Sequence, residues 1–395
     1  MISVAEAKKI VKGLPVRTKH SIIPLADALG LVNAEDIVAP FDIPGFNQSS
    51  MDGYAISYDG WLQHKELKIV ATIEAGKHPT IQLKSHEAAR IFTGAALPNG
   101  TDTVVMQEHV QADNETVSLK DTNVKAGLHV RPAGSEIKLG EIAVQKNTLL
   151  TPTALGFLAS MGISTINVFS PPAIKLIITG NELQMPGEKP VAGKVYDSTS
   201  VFLIAALQQM GICDVQTVRV NDDLPSLSAQ LKIALETGDL IIVTGGASVG
   251  DYDFLLQATA SCEVSCLFHK VKQRPGKPLY LGIKNDTPVF GLPGNPASSV
   301  TCFYEYVLPV IESVTGRTNS LTIMKAPLSH TINKAAGLTH FLKGFYDGNT
   351  VTSLDAQESY RLSSFAKANC LIQLDEERTS IDKGENVEIH LLPIR

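Results

Sequence analysis

The sequence predicts a multidomain α/β plus β fold, in which a helical domain with an inserted β-rich domain precedes a doubly wound parallel α/β domain and a small C-terminal β-barrel. Three observations support this prediction. At 395 residues the chain is too long for one ordinary core. From residue 173, apolar strands alternate with amphipathic helices, which is typical of a parallel sheet covered on both faces. Short β-rich segments fill residues 67–146 and 318–395.

The first domain is predicted to be helical and split in two. Apolar residues recur at helical spacing in residues 3–12 and 22–38, and again in residues 151–162. Because helical character resumes after the β-rich stretch, that stretch is predicted to be an insertion. The predicted boundaries are residues 1–40 and 141–172 for the helical domain, 41–140 for the inserted domain, 173–317 for the α/β domain and 318–395 for the barrel.

Composition argues against several classes of protein. A net charge of −6 and a pI near 5.9 do not favour nucleic-acid binding, which needs clustered cations. Five cysteines with no C-x-x-C pair indicate thiols in a reducing compartment. We find neither a signal-peptide pattern nor an apolar run long enough to span a membrane, so we expect a cytoplasmic protein. No residue set resembles a Ser–His–Asp or Cys–His nucleophile system.

The stretch DLIIVTGGASVGDYD, residues 239–253, predicts a strand, a glycine-rich loop and the start of a helix. Gly245, Gly246 and Gly250 allow the backbone to approach a ligand, and a helix N-terminus favours an anion such as phosphate. Asp251 and Asp253 would repel phosphate unless a cation lay between them, which indicates Mg²⁺. A tight turn with two helix-capping aspartates fits this stretch equally well.

Other carboxylates follow the ends of neighbouring predicted strands. Glu182 follows the first strand of the α/β domain and Asp222 the second. In a parallel sheet these residues and the two aspartates above would converge at one rim, where oxygen ligands select Mg²⁺ or Ca²⁺ over zinc. Each acid taken singly fits a solvated loop or a helix cap better; their joint placement favours a metal site.

A basic loop and a stiff loop complete the candidate site. Arg274 and Lys277 lie in HKVKQRPGKP, where clustered cations can hold an oxyanion, although a solvated basic hairpin fits as well. In GLPGNP, residues 291–296, two prolines fix the backbone and two glycines let a ligand approach. A plain strand-to-helix connection does not need that stiffness.

Together these segments resemble a known family. The motifs run nearly end to end and resemble those of molybdopterin molybdenumtransferase, the MoeA-like family that includes the C-terminal domain of gephyrin. They are SSMDGYA (49–55), IFTGA (91–95), TGNEL (179–183), TGGASVGDYD (244–253), PGKP (275–278), GLPGNPASS (291–299) and SSFAKANCLI (363–372).

The resemblance implies a four-domain protomer and a homodimer whose composite cleft takes the inserted domain from the partner subunit. The implied substrates are molybdopterin-adenylate and molybdate. With Mg²⁺ as the assisting metal, AMP is cleaved off and molybdenum remains on the dithiolene sulfurs. Other proteins of molybdenum cofactor biosynthesis are the implied protein partners.

The resemblance also implies roles for individual residues. Asp52, Thr93, Glu182 and Asp251 are the implied catalytic residues, and Glu182, Asp251 and Asp253 the implied metal ligands. The implied substrate-binding residues are Thr179, Gly180, Asp222, Gly245, Gly246, Ser248, Gly250, Arg274, Lys277, Pro293, Pro296, Lys343 and Ser359.

The barrel domain departs from the family pattern. Where relatives carry GRxxFxRG, this chain has Leu338 and Lys343 at the two arginine positions, and Glu358 replaces the glycine before Ser359. Lysine keeps the charge but loses the bidentate fork of arginine. Three alternatives therefore stay open: a pterin-binding scaffold without turnover, a molybdopterin adenylyltransferase and a tungstate-specific paralogue.

Overall fold

The computed structural model describes residues 1–120, 123–245 and 254–393. The chain divides into two compact units. The first comprises residues 1–34, 147–151 and 165–395, and the second comprises residues 35–146 and 152–164. The second unit therefore interrupts the first in sequence. The boundaries of the four domains stay predictions.

The chain opens with the helix predicted there. Its start is fixed by a capping box, because the Ser3 hydroxyl accepts from the Glu6 amide at 3.2 Å while the Glu6 carboxylate accepts from the Ser3 amide at 2.8 Å. Elements to residue 172 are α1 Val4–Lys12, β1 His20–Pro24, β2 Ile37–Val38, β3 Gln48–Ser49, β4 Gly53–Ile56, α2 Tyr58–His64, β5 Glu66–Ile73, β6 Glu87–Ile91, β7 Thr103–Met106, β8 Val110–Ala112, β9 Thr116–Leu119, β10 Val130–Arg131, β11 Ile142–Val144, α3 Pro152–Ser160 and β12 Thr165–Phe169.

The prediction of a helix over residues 22–38 is wrong. Residues 20–24 form β1, which pairs antiparallel with β12, and a short 3-10 turn covers Leu25–Asp27. The apolar residues alternate in exposure along β1, and Pro24 cannot donate a hydrogen bond to a helical turn. Pairing with a distant strand thus overrides the local spacing, and the first domain is less helical than predicted.

The second unit is built on a six-stranded sheet with the order β7-β4-β6-β5-β9-β8. Only β5 and β6 pair in parallel within it. The β-rich character predicted for residues 67–146 is therefore confirmed. Gly53 lies where strands approach closely, because a Cβ there would lie 2.0 Å from the carbonyl oxygen of Val105.

Strands and helices alternate between residues 174 and 315. The helix predicted for residues 297–315 contains a π-helical turn at Phe303–Val307. Pro309 follows this turn, and because proline has no N–H, the Glu305 carbonyl lacks its usual helical donor. The elements are β13 Ile174–Thr179, β14 Leu183–Gln184, β15 Val195–Tyr196, α4 Thr199–Gln209, β16 Val215–Val220, α5 Leu224–Thr237, β17 Leu240–Thr244, α6 Phe254–Ser261, β18 Ser265–His269, β19 Gln273–Arg274, β20 Tyr280–Lys284, β21 Thr287–Leu292, α7 Pro296–Cys302 and α8 Leu308–Thr315.

The sheet of this segment has the order β16-β13-β17-β21-β20-β18. The first four strands pair in parallel, whereas β20 pairs antiparallel with both of its neighbours, β21 and β18, so the prediction of a fully parallel sheet is wrong at one edge. The cause is a two-residue turn, since Asn285 and Asp286 both have positive φ and reverse the chain between β20 and β21. Helices pack on both faces, α4 and α7 against one and α5 and α6 against the other.

A third six-stranded sheet, the second of the first unit, has the order β19-β24-β26-β28-β22, with β25 paired to β24. Its ladders, as far as the described residues define them, form an open path, so barrel closure stays a prediction. The elements are β22 Thr322–Pro327, β23 Ile332–Asn333, β24 Thr339–Tyr346, β25 Val351–Ser353, β26 Cys370–Leu374, β27 Ser380–Ile381 and β28 Asn386–Leu391.

A buried charge network connects the π turn to α1 and β28. The Glu305 carboxylate lies 2.6 Å from Nδ1 of His390 and 2.6 Å from Nζ of Lys8. Burial opposes charge on His390, but the hydrogen bond to Glu305, the charge of Glu305 and the hydrogen bond to Glu388 together outweigh it and raise the pKa of the imidazole. The helix that follows GLPGNP is thereby fixed to the C-terminal sheet.

Among the described residues, no helix combines the length and apolar character needed to span a membrane.

Candidate functional site

Two of the predicted site residues lie in the second unit and contact each other. Oδ1 of Asp52 accepts a hydrogen bond from the Thr93 amide at 2.7 Å and from the Thr93 hydroxyl at 2.8 Å. These donors lower the pKa of Asp52 below its ordinary value. Both residues are exposed, so the second unit presents an oriented carboxylate at its surface.

In the first unit, the carboxyl ends of three neighbouring strands surround one cavity. Thr179 ends β13, Gly245 follows β17 and Pro293 follows β21, and all three line a cavity of about 680 Å³. Ligands of open α/β sheets bind at this rim. Of the predicted residues in the first unit, the cavity brings together Thr179, Glu182, Gly245, Pro293 and Pro296.

The strand ends meet so closely that only glycine fits. Gly245 has φ +80°, and a Cβ there would lie 2.3 Å from the carbonyl oxygen of Thr179. Gly180 has φ +141°, and a Cβ there would lie 3.0 Å from each carboxylate oxygen of Glu182. The backbone therefore forms the cavity floor, and Glu182 folds over Gly180.

Asp222, which follows β16, is a partly buried acid beside this rim. One carboxylate oxygen, Oδ1, is buried and finds no hydrogen-bond donor among the described residues. Burial raises the pKa of Asp222, and the charges of Glu182 and Asp223 raise it further. Asp223 instead caps α5, accepting from the Ser226 amide at 2.8 Å.

This acidic pair suits a hard cation. An unpaired buried carboxylate oxygen next to a second carboxylate is the donor type that Mg²⁺ prefers, and a cation there would offset the repulsion that raises the Asp222 pKa. Within the described residues, no group of three or more His, Cys, Asp and Glu side chains is placed to hold a metal. The remaining predicted residues of this loop, Gly246, Ser248, Gly250, Asp251 and Asp253, lie outside the described residues.

The GLPGNP loop is tied to the segment that carries Ser359. Asn295 Nδ2 donates to the Ser359 hydroxyl at 3.0 Å, and the Ala297 amide donates to the Ser359 carbonyl at 3.0 Å. The Ser299 hydroxyl donates to the carbonyl of Pro293. The structure therefore brings Ser359 to the loop that lines the cavity.

Lys343 is not an exposed ligand. Its side chain is buried, and its ammonium donates to three backbone carbonyls, at Ala356, at Glu358 (3.4 Å) and at Arg361 (2.9 Å). Burial lowers its pKa, although the charge of Glu358 acts in the other direction. With its three donors used, Lys343 organises the Ser359 loop from beneath, which differs from the predicted contact with substrate.

Arg274 and Lys277 are exposed, and in the part of the chain that is described their side chains make neither a hydrogen bond nor an ion pair. Neither lines the large cavity, although Pro278 does. Arg274 instead faces a smaller pocket beside β24. The structure thus separates Arg274 from the cavity.

The departures from the family pattern have simple local roles. Leu338 contributes its carbonyl, which accepts from Lys334 Nζ at 3.0 Å. Glu358 lies 3.6 Å from Arg361 in a half-exposed ion pair, which contributes little in water.

Sequence reasoning missed several cavity residues, among them Tyr360 and Asp197. Tyr360, 66% exposed, offers an aromatic ring to the cavity. Asp197 is buried and accepts from the Ser200 amide at 3.0 Å and from Arg219 at 2.7 Å. An acid three residues before a serine at a helix start is a capping signal, which would have identified Asp197, whereas no signal marks Tyr360.

Three family profiles match consecutive parts of the chain. They are the MoeA N-terminal region (domain I and II) at residues 2–162, a probable molybdopterin binding domain at residues 175–313 and the MoeA C-terminal region (domain IV) at residues 325–392.

Proteins and structures of full length are similar as well. The chain is 32% identical to molybdopterin molybdenumtransferase of Haemophilus influenzae, over 99% of this chain and 100% of that protein. It is 33% identical to the Staphylococcus epidermidis protein of the same name, over 99% and 95%. The crystal structure of a molybdopterin biosynthesis MoeA protein from Pyrococcus horikoshii superposes with a TM-score of 0.85 at 29% identity, covering 99% of both chains.

We expect Gly245→Ala to destabilise the first unit more than Gly193→Ala. Both glycines have positive φ, so each alanine carries the left-handed strain of about 1–2 kcal/mol. Only at residue 245 would the added Cβ overlap the backbone of Thr179, since position 193 has no atom within 4 Å. Thermal unfolding measures the difference, and equal melting temperatures for the two variants would contradict the close packing.

We expect Lys343→Met to loosen the loop at residues 356–361. The change leaves three carbonyls without their donor, and an unsatisfied buried group costs about 1–3 kcal/mol. Hydrogen–deuterium exchange should accelerate in that loop and not in α5, while exposed Lys325→Met serves as the control. Unchanged exchange in the loop would show that the ammonium does not hold it.

Proposed function

Because the chain belongs to the molybdopterin molybdenumtransferase family, a family of enzymes of molybdenum cofactor biosynthesis, we propose that it transfers molybdenum from molybdate to adenylylated molybdopterin and releases AMP. The observation that supports this most is the cavity at the strand ends, with Glu182 on its rim and the unpaired Asp222 oxygen beside it.

We propose that three surfaces of the chain each bind a different part of the substrates. The backbone floor at Thr179 and Gly245 lets the phosphates approach without a side chain between them. Tyr360 offers a ring face for the pterin or the adenine. The loop fixed by Lys343 holds Ser359 beside Asn295, where a hydroxyl can orient an oxyanion.

Glu182 and Asp222, with Asp251 and Asp253 of the glycine-rich stretch predicted from the sequence, are the residues that would hold Mg²⁺. A bound Mg²⁺ would supply Lewis-acid polarisation of the pyrophosphate bridge and would stabilise the leaving phosphate. In the reaction water cleaves that bridge. The two dithiolene thiols pass their protons to one oxygen of molybdate, which leaves as water, and as thiolates they bond to molybdenum. The oxidation state of molybdenum does not change. The thiolates belong to the substrate, so the chemistry needs no protein nucleophile.

We also propose that the active protein is a homodimer in which Asp52 and Thr93 complete the site of the partner subunit. The hydrogen bonds from Thr93 keep Asp52 ionised and oriented before any ligand binds. The cytoplasmic location stays a prediction from the cysteine pattern.

We expect the purified protein to release AMP from adenylylated molybdopterin when molybdate and Mg²⁺ are present. Asp222→Asn should raise the Mg²⁺ concentration needed for half-maximal rate by about tenfold or more, since a ligand carboxylate is lost. Asp214→Asn, an exposed acid just before β16 at the opposite end of that strand, should leave the requirement unchanged.

The outcomes of this assay separate the alternatives. Saturable substrate binding without AMP release would contradict turnover and favour a scaffold. Consumption of ATP with molybdopterin alone would favour the adenylyltransferase, and a parallel reaction with tungstate tests the oxyanion preference. An unchanged Mg²⁺ requirement in Asp222→Asn would remove only that residue from the proposed metal site.

We expect two inactive variants, Asp52→Ala and Asp251→Ala, to regain part of the activity when mixed. If each cleft takes Asp52 from one subunit and Asp251 from the other, some heterodimers contain one intact cleft. AMP release after subunit exchange measures the recovery. Exchange demonstrated by mass spectrometry without any recovery would contradict the shared cleft.

A further inference from the structure

Arg90 is a partly buried cation of the second unit that has no role in the reaction proposed above. It lies on β6, three residues before Thr93, and the pairing of β4 with β6 sets it directly opposite Tyr54. Asp52 immediately precedes β4. The sheet therefore brings the Arg90 side chain to the strand that begins beside the Asp52 carboxylate.

Two aromatic rings contact the Arg90 guanidinium. Its central carbon, Cζ, lies 5.2 Å from the centroid of the Tyr54 ring and 5.1 Å from the centroid of the Phe92 ring. A planar guanidinium is suited to contact with aromatic faces, and its five N–H donors keep fixed directions within the plane. The two rings therefore limit the directions in which Arg90 can donate hydrogen bonds.

The guanidinium donates to two acceptors that flank the backbone of Asp52. Nη1 donates to the Gly53 carbonyl at 2.9 Å, and Nη2 donates to Oε1 of Gln107. The Gln107 amide in turn donates to the Asp52 carbonyl at 3.2 Å. Arg90 therefore holds the residue after Asp52 directly, and it holds the Asp52 carbonyl through Gln107.

The end of β6 holds the other side of the Asp52 loop, residues 49–53. The Gly94 amide donates to the Ser49 carbonyl at 2.8 Å. The amide and the hydroxyl of Thr93 both donate to Oδ1 of Asp52. Arg90 and Thr93 belong to the same strand and its end, so one element fixes both the backbone and the carboxylate of Asp52.

The charge of Arg90 also acts on the Asp52 carboxylate. The hydrogen bonds from Thr93 are the main cause that lowers the pKa of Asp52, burial opposes them, and the positive charge of Arg90 lowers the pKa further. The donors of Arg90 are directed at Gly53 and Gln107. Arg90 thus favours the ionised form of Asp52 while its own hydrogen bonds go to neighbouring groups.

We propose that Arg90 is a positioning residue that fixes the orientation in which Asp52 enters the cleft of the partner subunit. This inference rests on the role proposed above for Asp52. A lysine at residue 90 would keep the positive charge, but an ammonium lacks the plane and the fork that contact two rings and two acceptors at once. The fork of Arg90 therefore sets the geometry of Asp52, and its charge favours ionisation of the carboxylate.

The kinetics of AMP release test the proposed geometry. Arg90→Lys and Arg90→Met should each lower kcat by about tenfold or more while KM changes little, because a displacement of about 1 Å in a reacting group can cost about 100-fold. Lys68→Met is the matched control. Lys68 is an exposed cation on β5 of the same sheet, opposite Glu87, and its removal should leave kcat unchanged.

NMR supplies two readouts that need no turnover. Hydrogen exchange of the Thr93 amide should accelerate in both Arg90 variants, because its acceptor on Asp52 moves, while exchange in β9 of the same sheet should not change. The pKa of the Asp52 carboxyl group, assigned with Asp52→Asn, should rise in Arg90→Met and stay low in Arg90→Lys, which keeps the charge.

These measurements separate the Arg90 proposal from the reaction on which it rests. If the unaltered chain releases no AMP, the proposed reaction fails, and exchange of the Thr93 amide still decides whether Arg90 positions Asp52. Full kcat in Arg90→Lys, a Thr93 amide that exchanges no faster in Arg90→Met than in Lys68→Met, or an equal acceleration in β9 would overturn the proposal.

Discussion

The candidate site depends on one steric constraint: there is no room for a side chain at residue 245. β13 and β17 pair in parallel, and at their carboxyl ends the Thr179 carbonyl occupies the volume that a side chain at residue 245 would need. The chain must therefore turn with positive φ directly after β17. This turn makes the cavity floor from backbone atoms, and it explains why the glycine-rich loop begins at that residue.

The two acids at this rim have no counterion among the described residues of the protein. Burial raises the pKa of Asp222 and the charge of Glu182 raises it further, yet neither acid is paired with a lysine or arginine in the described chain. Two basic residues near this rim have other partners, since the Lys194 ammonium donates to the carbonyl of Asn181 and Arg219 pairs with Asp197. An acidic rim without a protein counterion is expected where a cation or a cationic transition state is part of the bound state.

The elements of the α/β segment could be predicted well because the apolar pattern of each one lies within a single run of neighbouring residues. The strands β13, β16 and β17 and the helices α4 and α5 each follow from a run of residues that matches one period. The prediction of a helix over residues 22–38 failed because the pairing partner of β1 lies more than a hundred residues away, and no local pattern carries that information. The antiparallel edge was also missed, although the Asn285–Asp286 turn was a usable signal.

Side-chain roles were harder to predict than positions, and Lys343 shows why. A lysine in place of arginine near a proposed oxyanion site suggests a retained charge that contacts ligand. A flexible ammonium, however, can satisfy three carbonyls of one loop, whereas a planar guanidinium projects its donors as a fork. Whether a buried cation binds a ligand or backbone carbonyls depends on the path of residues 356–361. That path includes a hydrogen bond between two distant segments, from the Ala297 amide to the Ser359 carbonyl. In this chain the Lys343 ammonium therefore belongs to the framework of the Ser359 loop, while the Ser359 hydroxyl and the Asn295 amide lie at the loop that lines the cavity.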